Sequence, residues 1–237
     1  MSGVVEDILP GLACRRCSAW KFCSHFQDGR SAGRSGSVRG DLYAADESVY
    51  LHGDPVRSLY VVCDGMVKTE TESREGKLQV TGFLMPGEIF GLEGMGSEEY
   101  PGSAMACVDS RICAFPLEDI LHRCGASQEF LQETLFGMGR RIRFAGCKWK
   151  LVESETAYFR VLFFLCDLLI RQQGGSVSAG VVLLRMEKRD ISNFLGMNPS
   201  TLSRELWKLE GDGLIRRESK EQVQVGSEAL SMYLNFT

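Results

Sequence analysis

Apolar and polar positions change rhythm along this 237-residue chain, and each rhythm predicts a different kind of element. Over residues 42 to 116 the apolar runs are short and broken by glycine. SLYVVCDGMVKTE, KLQVTGFLMPGEIFG and SRICAFP each carry one strand-length run, with Asp64-Gly65, Glu75-Gly76 and Pro86-Gly87 as turns. Short runs closed by dipeptide turns predict an antiparallel barrel or roll. From Ser127 the period lengthens. Leu131, Leu135, Met138, Ile142 and Ala145 recur at spacings of four and three, which lays one apolar stripe along a helix. Two readings of that stripe stand side by side, burial against the chain's own roll and a two-stranded seam with a second copy. A further helix is predicted over 154–172 through Phe159, Leu162, Leu165, Cys166 and Leu169, ending at Gly174-Gly175.

The most specific pattern is EKRDISNFLGMNPSTLSRELWKLEGDGLIRR, residues 187 to 217. It predicts one short helix over 190–195, a tight turn at Gly196-Met197-Asn198 and a second helix over 199–210. Asn198 is a good N-cap, and Pro199 suits the first helical position, where its missing amide proton costs nothing. Leu202, Leu206 and Leu209 share one face of the second helix; Ser200, Ser203, Arg204 and Trp207 lie on the other, with Lys208 at its edge. A helix so divided can rest on its leucines and offer its polar face to the major groove of double-stranded DNA. There an arginine donates two hydrogen bonds to guanine, and a serine hydroxyl serves either kind of base-edge partner. Two short strands are predicted at 214–217 and 222–225 around Glu218-Ser219-Lys220, a wing whose Arg216 and Arg217 can meet phosphate. The competing reading is a three-helix packing unit with no ligand.

Charge sharpens this picture only locally. The whole chain has 27 basic and 31 acidic residues, a formal charge of -4, which argues against indiscriminate coating of nucleic acid. Between Arg185 and Lys220, eight basic residues against six acidic ones give +2, a modest reversal where the paired helices lie. The longest apolar run, Val161 to Cys166, is far too short to cross a bilayer, and no apolar leader opens the chain. The expectation is a cytoplasmic protein without a membrane partner. Four segments are expected: a cysteine-containing segment over 1–40, a sensor roll over 41–126, a dimerisation helix over 127–150 and a DNA-binding domain over 151–237.

Nine cysteines, an odd number, cannot form a complete internal disulfide framework. They are instead buried small hydrophobes, reactive thiols or metal ligands. Cys14, Cys17 and Cys23 in CRRCSAWKFC have the spacing C-x2-C-x5-C, so three thiolates can converge on one soft cation or an iron-sulfur cluster. A fourth ligand is needed from Cys63, Cys107, Cys113, Cys124, Cys147, Cys166 or a histidine, His25 being nearest in sequence. Arg15, Arg16 and Lys21 stand where they can offset the charge of a thiolate-ligated centre.

The order of cysteine loop, glycine-punctuated roll, long helix and C-terminal winged helix resembles the CRP/FNR superfamily of transcription regulators, in particular its oxygen-sensing FNR branch. LYVVCDGMVKTE, QVTGFLMPGEIFGLEGMGS, DSRICAFP and DISNFLGMNPSTLSRELWKLEGDGLI carry the resemblance over nearly the whole chain. It implies an α+β fold: an antiparallel β-roll of the cyclic-nucleotide-binding kind, a long dimerisation helix bearing Leu131, Leu135, Met138 and Ile142, and a winged helix-turn-helix. It also implies a [4Fe-4S] cluster on Cys14, Cys17, Cys23 and Cys113, which without oxygen holds a homodimer on near-palindromic DNA. Oxygen would convert the cluster toward [2Fe-2S], loosen the dimer and lower DNA binding. Ser203 and Arg204 match the family's base-reading positions, and an activator of this kind implies RNA polymerase as a partner. No side chain is required as catalytic acid, base or nucleophile, so no enzyme activity is expected.

Three departures and one alternative accompany the resemblance. Ser200 stands where the family usually carries a glutamate, and a hydroxyl offers no carboxylate to cytosine N4. Residues 28–40, rich in glycine and serine, replace a charged amphipathic helix. In GLEGMGSEEYPGSAMA, Leu92 follows Gly91 and Gly102 precedes Ser103, so the glutamate and arginine of a cyclic-nucleotide clamp are lacking, which argues against nucleotide sensing. The alternative within DNA binding is a zinc or thiol switch on the same cysteines. An enzyme on the roll is weaker, since no serine-histidine-carboxylate arrangement stands out.

Overall fold

The computed structural model describes residues 20–24, 26, 40–73, 75–139, 142 and 156–236. Its first elements are α1 (Trp20–Ser24), β1 (Gly40–Tyr43), β2 (Ser48–Tyr50), β3 (Ser58–Asp64), β4 (Val67–Glu72), β5 (Leu78–Leu84), β6 (Ile89–Phe90), β7 (Ser103–Ala106) and β8 (Ser110–Pro116). After them come α2 (Leu117–Ala126), a helix α3 over 128–139, α4 (Ala157–Gln172), β9 (Gly180–Leu183), α5 (Lys188–Phe194), α6 (Pro199–Gly211), β10 (Ile215–Arg217), β11 (Gln222–Val225) and α7 (Ser227–Phe236). The β-roll and helix-turn-helix that the sequence predicts are both present. Two compact units divide the chain: Met1–Val67 with Leu84–Met138, and Lys68–Phe83 with Gly139–Thr237.

In the first unit, β3 reads as a continuous apolar run because both its faces are covered. Leu59 and Val61 face a core with Phe22, Cys23, Cys113, Phe115, Ile120 and Phe130. Val62, pointing the other way, joins Tyr50, Val67, Leu84, Phe90, Tyr100, Ala104 and Ile112. The sheet runs β1-β8-β3-β6, antiparallel throughout, and β2 pairs with β7. Between Val62 and Asp64 the register of β3 against β8 shifts by a bulge. Just beyond it, Gly65 turns with a φ of 95°, and a Cβ there would lie 2.7 Å from the Ser110 Cα. Gly65→Ala is therefore expected to destabilise the fold by about 3 kcal/mol, strain and overlap combined, as read by urea denaturation.

In the second unit, α4 is buried from Val161 to Leu169 apart from Asp167 and carries the core of the helix-turn-helix. The three-stranded sheet runs β10-β11-β9, so the wing has a third strand behind the two that the sequence predicts. The β4–β5 hairpin belongs to this unit. Phe83 packs on Phe164 and Phe194, with ring centroids 6.1 and 5.3 Å apart, and its carbonyl accepts from Arg171 Nη2 at 2.6 Å. Asn193 of α5 grips β5 with both ends of its amide: Oδ1 accepts from Val80 N at 2.6 Å and Nδ2 donates to Leu78 O at 2.9 Å. Among the described residues, no helix is long and apolar enough to cross a membrane.

Candidate nucleic-acid interface and metal centre

Local chemistry starts α6 where the sequence predicts. The Asn198 side chain accepts from Thr201 N at 2.8 Å, Pro199 opens the helix and Gly196 supplies the preceding turn at a φ of 63°. Leu202, Leu206 and Leu209 are buried, while Ser200, Arg204, Trp207 and Lys208 are exposed. Ser203 is half-buried and donates to Pro199 O at 2.7 Å; Ser200 donates to Asn198 Oδ1 at 2.7 Å.

Sequence reasoning missed Glu205, a buried carboxylate beneath this face. It receives Arg204 Nε at 3.2 Å and Lys208 Nζ at 2.9 Å. Burial opposes its ionisation, yet the hydrogen bonds from Lys208 and Arg204 outweigh that and hold the carboxyl below its ordinary range. Its stabilising contribution is complete above the ordinary carboxylate pKa and is lost as pH falls through the lowered folded value.

The wing places its two arginines differently. Arg216 is exposed, with Nη2 2.8 Å from Glu218 Oε1. Arg217 turns back toward α6: its backbone N and its Nε each donate to Glu210 at 2.9 Å, and its guanidinium lies 4.2 Å from the Trp207 ring centroid. Those hydrogen bonds hold the Glu210 carboxyl below its ordinary range. Arg217 thus joins wing to helix and fixes the Trp207 ring.

Of the expected thiol ligands, Cys23 on α1 and Cys113 on β8 lie in one buried core, while Cys14 and Cys17 lie outside the described residues. The rings of Phe22, Phe26, Phe115 and Phe130 meet around them at centroid separations of 4.7 to 5.7 Å. Two soft sulfur donors from distant segments, held among aromatic rings, fit a thiolate-ligated centre as far as the described half of the ligand set goes. Among the described residues no group of three metal-binding side chains is assembled. The Cys63 Sγ lies 3.1 Å from that of Cys113, beside the β3 bulge, a proximity that has no signature in spacing. Cys107 and Cys124 are half-buried; Cys166 is buried, and burial followed by the nearby Asp167 pushes its thiol up to about 12.

The expected dimer stripe lies on the outer side of α3. Phe130, Thr134 and Gly137 face inward, whereas Leu131 and Leu135 are exposed, as are Phe136, which the periodicity passed over, and Ile142 further along. Met138 is half-buried. Within the roll, Tyr50 stacks on Tyr100 at 3.9 Å and its hydroxyl bonds to Glu93. Ser103, beside the departed arginine of the nucleotide clamp, accepts from His52 N at 2.9 Å.

Comparison with known proteins agrees with this geometry. A cyclic nucleotide-binding domain matches residues 41–126, and a Crp-like helix-turn-helix domain matches 160–229. The transcriptional activator protein anr of Pseudomonas aeruginosa is 31% identical over 216 residues, 90% of this chain and 88% of that protein. Its counterpart in Pseudomonas protegens is 32% identical, over 77% of this chain and 75% of that one. The structure of FixK2 from Bradyrhizobium japonicum superposes with a TM-score of 0.74 at 25% identity, over 84% of this chain and 98% of that one. The chain belongs to the CRP/FNR superfamily, DNA-binding transcriptional regulators rather than enzymes. Within it, the relationship is to the FNR/Anr-type branch.

Proposed function

We propose that this protein is an oxygen- or redox-responsive regulator that binds near-palindromic double-stranded DNA as a homodimer when Cys14, Cys17, Cys23 and Cys113 hold a [4Fe-4S] cluster. The observation that carries the reading is the shared core of Cys23, Cys113 and Phe130, the last on the helix that bears the exposed stripe. Bound there, the cluster supplies oxygen-labile iron chemistry. The residues do the rest: Cys23 and Cys113 tie α1 to β8, and Phe22 and Phe26 press on Phe130, with ring centroids 5.2 and 5.4 Å away. The packing of α3 is thus coupled to the state of the thiols. RNA polymerase is the partner that the relatives' activity as transcriptional activators requires. Iron and acid-labile sulfide analysis of protein purified without oxygen, with DNA binding measured before and after air, tests this. Stoichiometric zinc without sulfide, or DNA binding indifferent to air, would overturn it.

Exposed Leu131, Leu135 and Ile142, with Met138 beside them, are the seam a second copy would cover. Ile142→Glu is expected to weaken dimerisation and DNA affinity together; sedimentation of anaerobic protein checks it, and an unchanged dimer would remove the stripe from the interface.

For readout, Arg204→Ala is expected to cost roughly 1 to 3 kcal/mol of discrimination at a guanine-containing base pair. Arg216→Ala should weaken all sequences evenly by loss of a phosphate contact, whereas Arg217→Ala should act by releasing Trp207 and the wing. Ser200→Glu adds a carboxylate to a first helical turn that has none, which suits the helix dipole. Its preferred site should shift toward cytosine at the contacted pair. Selection from a randomised palindromic library decides; an unchanged site means residue 200 reads no base.

A further inference from the structure

Cys63 and Cys113 present two thiols for joint chemistry, with sulfurs 3.1 Å apart on adjacent strands. The register pairs Val61, not Cys63, with Cys113, and a regular ladder would leave Cys63 one diagonal step away. Alternation places Cys63 on the face that Val61 shares with Cys113, and the register shift between Val62 and Asp64 falls at Cys63 itself. The remaining gap is about 1 Å more than a sulfur-sulfur bond. Exposure is divided usefully. Cys63 is half-buried, at the edge of the core, while Cys113 is only 4% exposed and sits deep within it.

We propose that Cys63 and Cys113 form a reversible disulfide, a peroxide-responsive modification site on the roll. Hydrogen peroxide meets the more accessible thiol. The Cys63 sulfur attacks one peroxide oxygen, the O–O bond breaks, and a sulfenic acid and one water result. The Cys113 sulfur then attacks the sulfenic sulfur and expels its oxygen as a second water. Two thiols and one peroxide thus become one disulfide and two waters; the sulfurs are oxidised by two electrons and the peroxide takes them up. A dithiol reductant restores both thiols.

The consequence for iron, though not the disulfide itself, rests on the reading of Cys113 as a cluster ligand. A Cys113 engaged with iron is unavailable to Cys63. Once the iron is gone the pair can oxidise, and rebuilding the centre then requires reduction first. Cluster loss and peroxide exposure would in this way be recorded together.

The test uses the full chain, stripped of iron, reduced and then treated with stoichiometric hydrogen peroxide. Peptide mapping without reductant should find the Cys63 and Cys113 peptides joined and two hydrogens lighter than their sum. Iron uptake on anaerobic reconstitution should fall to background and return after a dithiol. Cys63→Ser should reconstitute normally and keep its iron uptake after the same peroxide treatment. Mapping of the unaltered chain decides the linkage whatever that variant does: Cys113 joined to another cysteine, or Cys63 ending as sulfinic acid, overturns the proposal. So does loss of iron in Cys63→Ser without peroxide, which would make Cys63 a ligand. If the disulfide forms but Cys113→Ser binds iron fully, the thiol pair stands and the cluster assignment fails.

Discussion

Cys113→Ser is expected to lose most cluster iron and, with it, the anaerobic gain in DNA binding, bringing the protein to the level it shows after air. Cys113 sits on β8, central in the order β1-β8-β3-β6, and its neighbours in the core are Cys23 and the Phe130 of α3. A serine there is nearly isosteric, so the roll should keep its fold, but a hydroxyl is a poor ligand for a soft metal. Cys23→Ser should behave alike, since it anchors the same core from α1. Cys124→Ser is the informative control: Cys124, like Cys63, packs against this core and is a described rival as fourth ligand. Iron and sulfide counted per chain, beside circular dichroism to confirm folding, separate these outcomes. Full iron in Cys113→Ser with loss in Cys124→Ser would reassign the ligand.

What was legible in the sequence is what local chemistry decides. Asn198, Pro199 and the leucine spacing specify a cap, a first turn and a buried face within a dozen residues, and α6 follows them. Asp64-Gly65 and Glu75-Gly76 likewise mark turns whose backbone demands are local. The features that escaped all depend on chain segments meeting from a distance. Strand β9 exists because β11 pairs with it, and its own four residues, GVVL, carry no signal of that. Phe130 lies off the Leu131, Leu135 and Ile142 stripe and is fully buried because the inner side of α3 packs on the roll, so periodicity found the outer side of the helix and missed the inner one. The Arg217, Glu210 and Trp207 cluster requires the wing to fold back before its geometry exists. Cys63 meets Cys113 across two strands beside a bulge, a one-residue irregularity that no spacing rule encodes.

Lys68→Ala is expected to be the most destabilising single exchange in the second unit, by about 3 kcal/mol or more. The Lys68 Nζ lies 3.0 Å from Asp190 Oδ2 and 3.8 Å from Glu70 Oε2, and all three residues are at least nine-tenths buried. Truncating the lysine leaves two buried carboxylates near one another. Arg189, largely exposed and 3.9 Å from Asp190 Oδ1, offers weak compensation. The charge pair itself need not be a net source of stability, because desolvation offsets much of its attraction. Lys68→Met combined with Asp190→Leu and Glu70→Gln should accordingly recover most of the loss, and urea unfolding of the single and combined variants measures the coupling. A loss below about 1 kcal/mol in Lys68→Ala would mean that the pair is solvated and screened like a surface one. The same exchange should also reach DNA. Asp190 lies in the first turn of α5, one helical turn from the Asn193 that holds β5, so the hairpin grips this helix at two successive points. Removing one grip loosens α5 and, through the turn at Gly196, the start of α6. DNA affinity of Lys68→Ala should fall at temperatures where the variant is still folded, whereas the combined variant, with its packing restored and all three charges gone, should bind nearly as the native protein does.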